Sequence, residues 1–219
     1  MSHSPNYVIA VSSVSGGGKT SLVISAANLL KATTLFFDYY ASISQYPPDI
    51  EKWVEDGADV NEWKTPQFAQ DLTALRRGES IVSPLDGASI LPSEFIVIEE
   101  PMGRERAEMA NLIDFVAVID IPLEIALARR LLRNLGFISL DGIEKASKEQ
   151  MVEGFGQVVT SLKNYLTEYL RAGRDLYLAV QKQAKQNCDL VLDGFLSVDE
   201  LAQQLVSAVK DKQRTRATT

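Results

Sequence analysis

The sequence predicts an α/β domain built on a largely parallel sheet. Three observations carry that reading. Short β-rich runs alternate with longer helical patterns along the 219 residues. Several of those runs are nearly continuous apolar stretches, as expected of strands covered on both faces. A glycine-rich turn joins the first run, which ends near Ser12, to a helical pattern that opens near Thr20.

In order, the predicted strands are "YVIAVS" (7–12), "TLFFD" (34–38), "FIVIEE" (95–100), "FVAVID" (115–120) and "DLVLD" (189–193). The first, third and fourth are the apolar ones. The helix from Thr20 is predicted to run to about Lys31. A second opens at "TPQFAQDLTALRRG", with Thr65 as N-cap, Pro66 as first residue and Gly78 as stop. A third begins at Pro122 and carries "LEIALARRLLRN"; Leu123, Leu127 and Leu131 share one face, widened by Ile125 and Leu132, and are expected to anchor it. A long helical region covers about 148–187. A last helix follows Ser197, with Glu200 placed for a capping box. Residues 39–64 interrupt the alternation after the second strand, as an excursion on the substrate side. Residues 122–150 form a lid region, with a mobile connection expected at 134–150. No repeat, low-complexity block or linker appears, so residues 1–219 are expected to form one domain.

Composition narrows the functions. The chain is 46% apolar and 23% charged, ordinary globular usage, with a formal net charge of −7. That charge argues against a general nucleic-acid surface, which needs a positive field. Seven acids against one lysine fall between Asp38 and Glu62. The basic tail (Lys210, Lys212, Arg214, Arg216) is expected to be a frayed, solvated end. Cys188 is the only cysteine, so no disulfide forms within the chain, and a buried structural thiol is expected. His3 is the only histidine, which leaves no histidine-based triad or metal cluster. With no signal peptide and no apolar run long enough to span a bilayer, the expectation is a soluble, cytoplasmic protein without a membrane partner.

The turn reads "SSVSGGGKTSL", close to the phosphate-binding pattern G-x-x-x-x-G-K-[ST], with Ser13 at the first glycine position. A glycine-rich turn lets backbone N–H groups face phosphate oxygens, and the following helix adds its N-terminal N–H groups and dipole. Ser15, Gly16, Gly17, Gly18, Lys19, Thr20 and Ser21 are therefore the candidate nucleotide contacts. Lys19 would reach the β- and γ-phosphates, and the Thr20 hydroxyl would ligate Mg²⁺. Phosphoryl transfer also asks for an acid near the acceptor, an acid on the metal side and cations over the phosphates. Asp38, at the end of the second strand, suits the first role. Glu99 or Glu100 suits the second; Glu99 is favoured because Glu100-Pro101 begins a turn, and strand neighbours face opposite sides. Arg129, Arg130 and Arg133 form a basic edge on the third helix, suited to a lid closing over ATP. Arg104 and Arg106 follow the third strand, as readily structural as substrate-facing.

With these elements in order, the chain resembles the uridine kinase-like group of P-loop kinases, which also takes in phosphoribulokinase-like and pantothenate kinase-like enzymes. The resemblance rests on "IAVSSVSGGGKTSL", "FFDYY", "FIVIEEPMG", "VAVIDIPLEIALARRLLRN" and "DLVLDGFLSVDEL", covering roughly 7–135 and 188–205. It implies a P-loop three-layer α/β sandwich with a five-stranded parallel sheet in the order 2-3-1-4-5 and a helical lid. It implies ATP and Mg²⁺, a small-molecule acceptor, Asp38 as catalytic acid, Lys19 as phosphate lysine, Thr20 as magnesium hydroxyl, and Arg129, Arg130 and Arg133 as lid arginines. Members often form oligomers, so a homo-oligomer is an open expectation. Two departures bear on the acceptor. The family's Asp-His-Pro element is matched by "EWKTPQF", where only Pro66 survives, and the third strand ends "EEP" rather than Glu-Gly. The acceptor pocket would be built from 39–64, with Tyr39, Tyr40, Trp53 and Trp63 as candidate walls. An acidic, aromatic lining suits a neutral or cationic hydroxyl compound. A nucleotide-binding module without transfer activity, or a simple ATPase, stays open beside the kinase reading. No N-K-x-D guanine signature is present, which favours ATP over GTP.

Overall fold

The computed structural model describes residues 5–135 and 147–217. Five parallel strands form the central sheet: β1 (Tyr7–Ser12), β2 (Thr33–Leu35), β5 (Phe95–Glu99), β6 (Phe115–Asp120) and β7 (Leu190–Asp193). Their spatial order is β2-β5-β1-β6-β7, which is 2-3-1-4-5 when these five alone are counted. Register places Ile9 beside Val97 and Phe115, and Ser12 beside Val118. Two residues at a time, β3 (Ile81–Val82) and β4 (Ser89–Ile90) add a small antiparallel hairpin that no sequence pattern announces.

Side chains alternate across the sheet and build two cores. Ile9, Val11, Val97, Ala117 and Ile119 face Leu22, Val23 and Ala26 of α1 (Lys19–Leu30) and Leu201, Leu205 and Val209 of α8 (Val198–Ala217). Val8, Ala10, Ile96, Ile98, Val116 and Val118 face Phe68, Leu72 and Leu75 of α3 (Pro66–Arg76) and Met109 of α4 (Ala107–Ala110). Both faces being covered is why these strands read as unbroken apolar runs. The remaining helices are α2 (Ile50–Glu55), α5 (Leu123–Leu135), α6 (Lys148–Glu168) and α7 (Arg174–Gln186). A π-helical turn, Tyr169–Gly173, joins α6 to α7. No helix among the described residues is long and apolar enough to cross a membrane.

Several expectations change. The second strand stops at Leu35, and Phe37–Ile43 is a 3₁₀ helix. Phe37 and Tyr40 are both buried and stack edge-on against Phe68, so burying these rings turns the chain out of the sheet early. The leucine face anchors α5 only in part: Leu123 and Ile125 pack against Val14, Ile121 and Ala126, the buried residues of the helix are Ala126 and Arg130, and Leu132 is 71% exposed. The basic tail is the last part of α8, with Lys212 paired to Asp189 at 2.5 Å and lying over the Phe115 ring. Cys188 is half-buried, packed at the edge of the core with its thiol toward the Lys185 carbonyl. Of the lid region, residues 136–146 lie outside the described residues. The Ser197–Glu200 capping box forms in both directions.

Candidate active site

The turn after β1 runs under the carboxyl ends of the strands, where open α/β sheets hold ligands. Gly16 (φ 83°) and Gly18 (φ 100°) take left-handed conformations that favour glycine. A Cβ on Gly16 would meet the Ala126 carbonyl oxygen at 2.3 Å, so the turn lies directly on α5. Gly18 caps α1 without a side-chain hydrogen bond, and no acid sits in the first turn of that helix. The positive end of α1 thus faces the cleft with no acid of its own first turn upon it.

One cleft of about 420 Å³ is lined by Ser15, Gly16, Gly17, Gly18, Lys19, Thr20 and Ser21, and by Asp38, Glu99, Arg129 and Arg133. The loop after β7 closes it with Gly194, Leu196 and Ser197. Lys19 donates to the Val14 carbonyl at 3.3 Å. Burial pushes its pKa down, against the pull of Glu99 and Asp38, which favour the cation. The Thr20 hydroxyl donates to Glu99 Oε1 at 2.6 Å. Burial pushes the Glu99 carboxyl up, and Lys19 beside it draws it back. Asp38 is exposed at the start of the 3₁₀ helix, turned to the same cleft. Arg129 reaches across to the Gly194 carbonyl at 3.1 Å, and Arg133 is exposed at the mouth.

Strand alternation divides the two acids as expected. Glu99 faces Thr20, while Glu100 turns away into a fully buried ion pair with Arg106, Oε2 to Nη2 at 2.5 Å. Ser13 is buried, and its hydroxyl donates to the Ile119 carbonyl at 2.9 Å.

Six other candidates lie outside the lining of this cleft. Tyr40 is in the core, its hydroxyl donating to Asp71 at 2.8 Å, because its ring packs under α3. Trp63 is half-buried between Tyr46 and Trp53, and Trp53 itself is core. Tyr39 stacks on Phe36 near the surface and does not line the cleft. Arg104 sits at the opposite end of the sheet, spent on the carbonyls of Ile113, Asp114 and Asn187 and on Asp189. Arg130 leaves the basic edge for a buried position behind the loop. Arg106, for which the sequence leaves both roles open, is structural, holding Glu100, the Trp63 carbonyl, the Thr65 hydroxyl and Glu108 together. Thr65 accordingly spends its hydroxyl on that network rather than on capping α3.

Curated proteins supply the comparison. A uridine kinase of Borrelia duttonii (strain Ly) is 25% identical over 197 residues, covering 84% of this chain and 85% of its own. A uridine kinase of Borreliella burgdorferi (strain ZS7) matches with the same identity and coverage. The chain is similar to uridine kinases. No family model matches. Among solved structures, a shikimate kinase from Acinetobacter baumannii in complex with shikimate aligns at 13% identity and TM-score 0.48, covering 95% of this chain and 96% of its own. A possible uridine kinase from Bacillus stearothermophilus aligns at 17% identity and TM-score 0.45, covering 88% and 91%.

Proposed function

We propose that this protein is an ATP-dependent kinase that phosphorylates a hydroxyl of a small metabolite. The observation that carries the reading is the single cleft in which Lys19, the Thr20–Glu99 pair, Asp38, Arg129 and Arg133 meet. The residues fit a triphosphate and a magnesium ion. Gly16 and Gly17 let the turn close on the Ala126 carbonyl and the Ser13 hydroxyl, where a Cβ could not stand, and so keep the turn and the N-terminus of α1 at the cleft for an anion to meet. Thr20 and Glu99 offer hard oxygen donors, and Mg²⁺ commonly takes one or two protein oxygens beside phosphate and water. Bound Mg²⁺–ATP would supply the transferable phosphoryl group and neutralise charge on it.

The chain's own groups then have distinct tasks. Lys19 holds a phosphate oxygen by charge and hydrogen bond. Arg129 and Arg133 cover the phosphates from α5 and oppose the negative charge that builds on the equatorial oxygens. Asp38 would accept the acceptor's hydroxyl proton as that oxygen bonds to the γ-phosphorus and the bond from that phosphorus to the bridging oxygen breaks, so the proton ends on the carboxylate and ADP is the leaving group. The acceptor meets the side of the cleft nearest 39–64. Acids dominate that segment, which favours a neutral or cationic hydroxyl compound over a sugar phosphate. Nucleosides are the first class to try, given the similarity to uridine kinases.

The test is ADP release with Mg²⁺–ATP against a panel of nucleosides, pantothenate and sugars. At least one acceptor should stimulate release. Asp38→Asn should cut transfer about 10²–10⁴-fold while sparing ATP binding, and Lys19→Ala should abolish activity. ADP release that no acceptor stimulates, or full turnover by Asp38→Asn, overturns the assignment.

A further inference from the structure

Arg130 is only 5% exposed, and its guanidinium lies within a cage of three tyrosines. The distances from Cζ to the ring centroids are 4.5 Å for Tyr177, 5.3 Å for Tyr165 and 5.5 Å for Tyr169. Nη1 donates to the Tyr177 hydroxyl at 2.5 Å, and Nε has no hydrogen-bond partner. No carboxylate among the described residues forms an ion pair with it. A buried cation without a counter-ion is costly, and rings return only part of that cost. As a mere helix anchor, an apolar side chain of the same length would serve better.

Geometry gives the charge a different use. Successive residues on a helix are rotated by about 100°, so Arg129 and Arg133 stand within about 40° of each other and well to one side of Arg130. When the cage holds Arg130, those two arginines face the cleft. Arg130 also touches the phosphate turn, since a Cβ on Gly16 would lie 2.8 Å from Arg130 Cγ. The cage is anchored on the π-helical turn, which Tyr169 opens, with Tyr165 before it on α6 and Tyr177 beyond it on α7. Such turns re-aim side chains that a regular helix would place elsewhere.

We infer that Arg130 is a positioning residue of the nucleotide site, locked by Tyr165, Tyr169 and Tyr177 so that α5 seats against Gly16 and presents Arg129 and Arg133 to the bound phosphates. This rests on the reading of the cleft as an ATP site. It does not need the acceptor to be known.

The experiment is calorimetric titration of the full chain with ATP and Mg²⁺. The dissociation constant reports the site, and the stoichiometry reports the folded fraction. Arg130→Met should weaken binding about tenfold at unchanged stoichiometry. Arg130→Lys, which keeps a cation in the cage, should recover part of the loss, and Tyr177→Phe should cost a few-fold. Arg133→Met should cost less in the Arg130→Met background than in the wild type, because an arginine no longer aimed at phosphate has less to lose. A purely structural role would lower the stoichiometry and leave the dissociation constant alone, and that outcome overturns the inference. So does strict additivity of the two substitutions. If Arg130→Met does not fold, Arg130→Lys and Tyr177→Phe carry the same test, and wild-type affinity in both sinks it. A wild-type protein that binds no ATP overturns this inference and the proposed function together. ATP binding without any acceptor-stimulated turnover removes the kinase reading and leaves this one standing.

Discussion

Ser13 occupies the place where the phosphate-binding pattern has its first glycine, and the structure gives it a reason to be there. Its backbone is not among the left-handed residues, so no glycine is required by conformation. Its hydroxyl instead bonds the Ile119 carbonyl and ties the turn to the end of β6. The consequence falls on Gly17, where a Cβ would stand 2.0 Å from Ser13 Oγ. Gly17→Ala should therefore abolish Mg²⁺–ATP binding, and adding Ser13→Gly should restore part of it by removing the obstructing atoms. Gly16→Ala should not be rescued in this way, because its obstacle is the Ala126 backbone. Titration calorimetry on the four variants decides it, and failure of the double variant to recover any affinity would refute the coupling. At this scale much of the cleft was legible, because Lys19, Thr20, Asp38 and Glu99 are placed by the chain's own order along the strands. What stayed hidden was direction over distance. Tyr40 and Arg104 have suitable side chains, but nothing local reveals that one is claimed by Asp71 and the other by Asp189.

Among the elements, legibility follows burial. β1, β5 and β6 are covered on both faces and announce themselves as apolar runs, whereas β3 and β4 hold two residues each and leave no pattern. The leucine face of α5 anchors it only at its start, where Leu123 packs against Val14, Ile121 and Ala126; the leucines after it are half-buried or exposed. Leu123 and Leu127 line an open hollow beside Phe195, and Leu131 and Leu135 line a groove toward α6. That helix has no buried residue along its length. It carries Gly156 in its interior at a point where a Cβ would meet nothing within 4 Å. Glycine in an exposed helix interior costs about 0.8–1 kcal/mol relative to alanine, chiefly through backbone entropy. Gly156→Ala should therefore stabilise the protein by about that amount, raising the melting temperature by roughly 2–4 °C. Scanning calorimetry at several protein concentrations checks it. A fall in stability would mean that this face packs closely against something beyond the described chain.

At the scale of the whole molecule, a buried polar junction ties the end of the 39–64 excursion to the sheet. Arg106 and Glu100 are both 0% exposed and joined by two hydrogen bonds. The same guanidinium holds the Trp63 carbonyl, the Thr65 hydroxyl and Glu108, and lies over the Phe37 ring. β5, the end of the 39–64 excursion, the start of α3, the 3₁₀ helix and α4 thus converge on one side chain. The junction also keeps Glu100 engaged on its own side of β5 while Glu99 faces Thr20, which ties the global packing to the Thr20–Glu99 side of the cleft. Breaking one partner of a buried pair leaves the other charge uncompensated, at about 3–5 kcal/mol, whereas neutralising both costs much less. Arg106→Met should accordingly lose about that much stability in urea titration, with Glu100→Gln/Arg106→Met recovering a large part of it. In the folded fraction of the double variant, Mg²⁺–ATP should still bind, because no atom of the junction lines the cleft. Acceptor affinity should weaken, because the excursion has lost its anchor. Were the double variant as unstable as Arg106→Met alone, the junction would owe its strength to the carbonyl and hydroxyl bonds rather than to charge, and the role given to Glu100 would fall.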